Sequence, residues 1–341
     1  MITVRQLASL AGVSPATVSK ALNDQSDIGP ATKEAIVKLA RENGYVKRNA
    51  IQGKENTFSG LRIGILFTDQ FSKYYSRLLT EFNERIAAEK GIVFTVDTMF
   101  SDKRAEELCY FFEKTRMVDG IICIAALDNN LMLEKLRTPV VSCSVIREMG
   151  TYNYDYVFIN EKPGIDEAIR ELIRQGHRTF GYLGERYTGK RHQLFCEAMD
   201  ANGIPKEDRF ELISEYRYEK AGYALMRELL MKDRIPTAIF CDYDDMAVGA
   251  GQAIVEAGFH VPDDFSVVAV DNSELILGHH KMIASVDCNI PDQVNIALSL
   301  LKKRIREPDC AVQNVSLLSR FINRETVGPA PKWKKRPDEN G

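Results

Sequence analysis

Apolar residues along this chain repeat at two different spacings, and the change of spacing divides it. Over the first 45 residues they recur at helical intervals. Leu7, Ala8 and Ala11 form one side of a short helix that begins near Val4, and Gly12 is the residue type that lets a backbone end it. Ser14 and Pro15 supply an N-cap and a first helical position for a second helix, whose buried side is Val18 and Leu22. A third helix is expected from Pro30 to Asn43, stopped by Gly44, with Ile36, Leu39 and Ala40 closing a small core. After Tyr45 the pattern loosens into the polar, basic stretch VKRNAIQGKENTFSG. Beyond Gly60, continuous apolar runs alternate with amphipathic segments: LRIGILF, then Tyr75 to Glu89; IVFTVDTM, then Lys103 to Lys114; GIICIA, a short helix, and PVVSCSV. A second series opens with YVFIN and Pro163 to Gln175, continues with TFGYLG and Arg191 to Asn202, and runs through TAIFCD and SVVAVD. Val/Ile-rich strands separated by helices predict parallel sheets covered on both faces, here two of them in tandem.

Two short helices joined by a tight glycine turn are the helix-turn-helix, whose second helix lies in the major groove of DNA. Charge agrees with contact at one end only. Residues 1–60 carry eight Lys/Arg against five Asp/Glu, and the rest carries 37 against 43, a mildly basic head on an acidic body. The length of 341 residues, with 45% hydrophobic and 27% charged, suits a globular chain of two or three domains. No N-terminal apolar stretch resembles a signal peptide and no run approaches a membrane span, so a cytoplasmic location is expected. The seven cysteines form no CxxC pair, and several (Cys123, Cys143, Cys241) sit in apolar runs as small hydrophobes.

The run LASLAGVSPATVSKALN with ARENGY at Ala40 to Tyr45 closely resembles the N-terminus of LacI/GalR-type bacterial transcription repressors. VDGIICI, TPVVS, RQGHRTFGYLG, AGFHVPDDFSVVAVD and RFINRETVGP then recur in that family's order, so the resemblance spans nearly the whole chain. It implies an α/β fold: a three-helix head (1–47), a hinge (48–60), and a two-lobed, periplasmic-binding-protein-like core. The N-subdomain is then 61–158 with 290–319, the C-subdomain 159–289 with 320–328, and 329–341 a polar tail. The implied partners are operator DNA, a small polar effector such as a sugar or sugar derivative, and a second copy of the chain, since one recognition helix reads half of a palindromic site. The tail lacks leucine heptads, which argues against a coiled-coil tetramer.

By the same resemblance Pro15, Ala16 and Lys20 occupy base-reading positions, Lys20 being able to donate to guanine O6 and N7. Thr3, Thr17, Ser19 and Asn23 match phosphate contacts. The hinge departs from the family pattern, with Lys47 in place of a proline and Lys54 in place of the usual minor-groove leucine. Ile51 is then the apolar candidate for a wedge, and Lys47, Arg48 and Lys54 suit phosphates. In the cleft, Tyr74 and Tyr75 match ligand-facing aromatics, Arg191 a ligand arginine, and Asp244 and Asp271 ligand acids. An arginine donor and carboxylate acceptors facing an aromatic wall is a way to hold a polyol. Asn160 and Glu161 replace a usual Asp-Asn pair, Tyr243 replaces an asparagine, and Ser144 and Val145 stand where Asp-Arg is common.

Gly184 to Lys190 fits the GxxxxGK phosphate-loop pattern, but Arg191 stands where a magnesium-binding hydroxyl is needed. No GxSxG elbow, HExxH or Cys-His pair suggests catalysis, and no enzyme activity is expected. Neither a cofactor nor a metal is expected, since adjacent His279 and His280 have no apparent third ligand. A transporter's solute-binding protein would share the core, but residues 1–45 and the missing signal peptide argue against that reading.

Overall fold

The structure is a computed structural model that describes residues 3–22, 25, 28–43, 59–125, 131–144, 152–277 and 281–332. The chain divides into two units, Met1–Ser59 and Gly60–Gly341.

In the first unit, α1 (Val4–Ala11) opens with a capping box: Thr3 Oγ1 accepts from the Gln6 N–H at 3.3 Å while the Thr3 N–H donates to Gln6 Oε1 at 2.9 Å. Gly12 ends the helix in the left-handed region at φ +64°. Ser14 caps α2 (Pro15–Leu22) by accepting from the Thr17 N–H at 3.1 Å. With α3 (Pro30–Glu42), these helices bury Leu7, Ala8, Val18, Ala21, Ile36 and Ala40. Leu22, expected in the core, is half-buried and packs against its edge, while Ala21, three residues after Val18 on the same face, is the buried position.

The second unit begins with β1 (Arg62–Phe67), α4 (Lys73–Ala88), β2 (Ile92–Asp97), α5 (Asp102–Thr115), β3 (Gly120–Cys123), α6 (Leu131–Glu134), β4 (Val140–Ser144) and β5 (Asp155–Asn160). It continues with α7 (Lys162–Arg174), β6 (Phe180–Glu185), α8 (Gly189–Ala201), β7 (Arg209–Ser214), α9 (Tyr218–Leu230), β8 (Ala238–Cys241), α10 (Asp244–Glu256) and β9 (Ser266–Val270). It ends with a two-stranded ribbon, β10 (Ile276–Leu277) and β11 (Lys281–Met282), then β12 (Ala284–Asp287), α11 (Ile290–Arg306), β13 (Asn314–Leu318) and β14 (Arg320–Ile322). Helix α4 starts earlier than its apolar spacing suggests, because Ser72 caps it by accepting from the Tyr75 N–H at 3.4 Å.

Two six-stranded sheets result. The first has the order β13-β5-β4-β3-β1-β2 and the second β14-β12-β9-β8-β6-β7. Among the described residues, every pairing within these two sheets is parallel except β12 with β14, an antiparallel edge that the alternation of strands and helices did not suggest. Strands β1, β3, β8 and β9 are buried at nearly every position, which is why their apolar runs are continuous rather than alternating.

The chain passes between the sheets three times: after β5 at Glu161, after β12 at Cys288 and Asn289, and between β13 and β14 at Ser319. Ser319 Oγ accepts from the Gly164 N–H at 3.0 Å, so the first and third passages are tied together. A continuous apolar cluster runs from Ile65 and Phe82 through Ile165 and Val286 to Phe195 and Phe240, joining both lobes at the passages. His177, from the RQGHRT motif, is fully buried behind the second sheet. Its ring nitrogens lie 2.8 Å from Thr237 Oγ1 and 2.9 Å from Ser266 Oγ, fastening the strand ends. No described helix is long and apolar enough to cross a membrane.

Candidate functional site

In the head, the second helix presents Pro15, Ala16, Ser19 and Lys20 as exposed residues around its buried Val18. Thr17 is half-buried, with its hydroxyl 2.9 Å from that of Ser14, so part of its hydrogen-bonding capacity goes into the cap. Thr3 is likewise the cap of α1 and stays exposed. Neither α1 nor α2 carries an acidic residue in its first turn, so no carboxylate there offsets the positive end of either helix dipole. Asn23, Lys47, Arg48, Ile51 and Lys54 lie outside the described residues, as do His279 and His280.

In the body, a cavity of about 150 Å³ opens between the carboxyl ends of the two sets of strands, where open α/β sheets place their ligands. The first lobe supplies Tyr74 and Tyr75 from α4 and Phe100 from the turn after β2. The second supplies Glu185, Tyr187 and Arg191 around the start of α8, Arg217 and Tyr218 at the start of α9, and Tyr243 and Asp271 after β8 and β9.

Arg191 anchors this floor. It is 4% exposed, and its Nε and Nη2 donate to Glu161 Oε1 at 3.0 and 2.6 Å. Nη2 also reaches Asp271 Oδ1 at 2.7 Å and Nη1 the Asp242 carbonyl at 2.6 Å. Burial alone lowers an arginine's affinity for its proton, but the neighbouring Asp271 and Glu161 more than reverse this and hold it firmly charged. Burial raises the Glu161 carboxyl above its ordinary range despite Arg191. Glu161, Asp271 and Cys288 have donor atoms within 4.8 Å of one another, a spacing that suits a metal, but the guanidinium of Arg191 already supplies the positive charge there. On the outer side of α8, His192, Cys196 and Glu211 form a second trio of metal-ligand type, partly exposed, with His192 Nε2 2.7 Å from Glu211 Oε2.

The expected site residues do not all converge. Tyr75, Arg191 and Asp271 line the cavity. Tyr74 also reaches it but is 5% exposed, and its hydroxyl donates to Gln293 Oε1 at 3.1 Å, so it belongs to the packed wall. Asp244 is outside the lining. Its carboxylate accepts from the Ser285 hydroxyl at 2.7 Å and from the Ser273 N–H, which holds the loop after β9 in place. That loop needs holding, since Asp271 has φ +99°, a conformation costly for any side-chain-bearing residue.

Several residues absent from the sequence reading carry much of the geometry. Asp242, two before Asp244, is fully buried and accepts from the Glu185 N–H at 2.8 Å and from the Tyr182 and Thr188 hydroxyls. Burial pushes its carboxyl up to about 7. Across the cleft, Asp69 of the first lobe accepts from Arg217 and from the Tyr218 hydroxyl of the second. Phe100 stacks on Tyr187 beside this contact, with centroids 4.6 Å apart. Their shared signal is position: Asp69, Glu185 and Asp242 each lie at or just past the carboxyl end of a strand. The segment Gly184 to Lys190, which mimics a phosphate loop, holds Glu185 and faces Asp242, two carboxylates where a phosphate needs donors.

Residues 3–48 match the model of bacterial regulatory proteins of the lacI family, and residues 169–327 match that of the periplasmic binding protein-like domain. The transcriptional repressor PurR of Mannheimia succiniciproducens is 27% identical over 339 residues, covering 96% of this chain and 99% of the relative. A lacI-family regulator from Enterococcus faecium, solved with bound ribose, superposes with a TM-score of 0.67 at 22% identity, over 79% of this chain and 99% of that one. The lac repressor dimer bound to operator and the anti-inducer ONPF gives 0.70 at 20% identity, over 96% and 99%. A helix-turn-helix head, two sheets crossed three times and an end-to-end repressor relative lead to one assignment: the chain belongs to the lacI family of bacterial regulatory proteins and is a DNA-binding transcriptional repressor.

Proposed function

We propose that this repressor's hold on operator DNA is set by a small polar molecule, a sugar or sugar derivative, bound in the cavity of the body. The observation that carries the reading is the cavity itself. It joins aromatic faces (Tyr75, Tyr187, Tyr218, Tyr243) to charged hydrogen-bonding groups, the combination that binds a polyol by its C–H face and its hydroxyls together. Ribose in the Enterococcus neighbour agrees with this class of ligand.

In the head, Lys20, Pro15 and Ala16 read base edges, while Thr3, Thr17, Ser19 and Asn23 hold phosphates. The basic residues Lys47, Arg48 and Lys54, with Ile51, serve the same duplex. The repressor works as a homodimer on a palindromic operator, because one recognition helix covers one half-site. In the body, Tyr75, Arg191 and Asp271 contact the ligand, Tyr74 backs the wall, and Asp244 positions the loop that carries Asp271. Arg191 couples ligand to lobe geometry through Glu161, which sits in the first passage between the sheets. Binding therefore favours one arrangement of the lobes, and by linkage alters the affinity for DNA.

The test is fluorescence anisotropy of the full chain on fragments of its own genome, titrated with neutral monosaccharides. A ligand that changes operator affinity several-fold in the wild type and has no effect on an Arg217→Ala variant supports the reading. Operator affinity indifferent to every ligand that binds the cavity overturns it.

A further inference from the structure

The cavity's two arginines are each held by two carboxylates. Arg191 lies between Glu161 and Asp271, at 2.6 and 2.7 Å, and Arg217 between Asp69 and Glu185, the latter with Nη2 and Oε1 3.3 Å apart. Arg217 is also enclosed by rings. Its guanidinium carbon is 4.9 Å from the centroids of Phe100 and Tyr218 and 5.7 Å from that of Tyr187. Aromatic faces are electron-rich, so they add to the negative character of the surroundings. Each cation is thus matched by two of the chain's own acids, and four carboxylates stand against two guanidiniums.

Glu185 is the acid left short. Its side chain is 1% exposed, and among the described residues its Oε1 has only the loose 3.3 Å ion pair with Arg217 and no well-formed hydrogen bond, while its Oε2 accepts a long contact, 3.4 Å, from the Tyr187 N–H. Beside it Arg217 Nε is a buried donor without a hydrogen-bond partner among the described residues. Orphaned groups of this kind cost free energy unless something completes them, and both line the cavity. A hydroxyl both donates and accepts and completes the pair. An ammonium group completes Glu185 and gains from the rings. A carboxylate or phosphate can serve only Arg217, and must lie against Glu185, Asp271 and Glu161 in a low-dielectric space.

We propose that Glu185 sets the charge selectivity of the cavity, admitting neutral or amine-bearing polyols and excluding phosphorylated and carboxylated ones. This rests on the cavity being the effector site. Glu185 is then a specificity residue in direct contact with ligand, and Arg217 its partner at the same hydroxyl.

The test is the melting point of the full chain with matched sugar series at equal millimolar concentration: neutral aldoses, their 2-amino counterparts, their phosphates and their uronic acids. Stabilisation by neutral or amino members alone is expected, with the affinity for the best of them falling about tenfold or more in Glu185→Gln. The wild-type selectivity needs no variant, so a Glu185→Gln chain that folds poorly does not blunt the result. A phosphate or uronate that stabilises the wild type and not Arg217→Ala overturns the charge selectivity and leaves the effector reading standing. No stabilisation by any series, or stabilisation unchanged in both variants, removes the effector reading and the selectivity with it.

Discussion

Arg191 and Glu161 form a buried two-pronged ion pair, with Nε and Nη2 at 3.0 and 2.6 Å from the same Glu161 oxygen, and the glutamate is the first residue of the chain's passage from one sheet to the other. Cys288, in the second passage, lies 3.7 Å from that oxygen. The cavity floor is therefore built on the passages between the two sheets. Removing the guanidinium leaves Glu161 and Asp271 buried without a counter-charge. Arg191→Ala is expected to destabilise the body by about 3–5 kcal/mol in urea denaturation. A loss below about 1 kcal/mol would show that the pair is not structural.

Asp69 and Arg217 join the lobes beside the cavity. Asp69 Oδ1 also accepts from the Phe71 N–H at 2.9 Å, so one carboxylate organises the turn and closes the cleft. Asp69→Ala should release both. Hydrogen exchange of amides near Phe71 and Tyr218 is expected to quicken about tenfold or more, with the β1 amides unchanged. Equal exchange in variant and wild type would mean that closure does not depend on this contact.

Helices α9 and α10 pack through two glycines. A Cβ at Gly222 would stand 1.9 Å from the Met246 carbonyl oxygen, and one at Gly249 equally close to that of Glu219. Backbone cannot yield as a side-chain tip does, so the helices must separate. Gly222→Ala and Gly249→Ala are each expected to cost about 1–3 kcal/mol or more in denaturation.

Asp242, whose carboxyl is raised from 3.8 to about 7 by burial, binds a proton more tightly folded than unfolded. Its contribution to stability is therefore present at low pH and lost as pH rises from about 4 to about 7. Asp242→Asn removes that titration. The stability of the variant relative to the wild type should rise across this window, by at most about 4 kcal/mol. Buried His177 acts in the opposite direction: burial lowers its pKa, so its stabilising share is lost as pH falls through 6.5 and below. It is common to both proteins and cancels in the comparison.

Much of the fold is legible in local sequence. Gly12, Ser14 and Pro15 mark helix ends through backbone preferences that need no partner, and the apolar runs of β1, β3, β8 and β9 declare their burial directly. The passages between sheets and the antiparallel β14 depend on pairing across distant segments, and no local pattern encodes them. The same divide runs through the cavity. Arg191 and Asp271 were found by resemblance, yet Asp69, Glu185, Arg217 and Asp242 gain their roles only when two lobes bring them together. Asp244 matches a ligand acid of the resembled family, but it starts α10 and its carboxylate turns toward Ser285.

Operator binding by the full chain, with and without Lys20, tests the account most directly. Fluorescence anisotropy on genomic fragments, at moderate salt and with competitor DNA, should reveal a preferred site whose complex weakens by about 1–3 kcal/mol in Lys20→Ala. A stabilising neutral or amino sugar should shift the wild-type affinity for that site. No preferred fragment, or a Lys20→Ala protein that binds it as tightly as the wild type, would contradict the account.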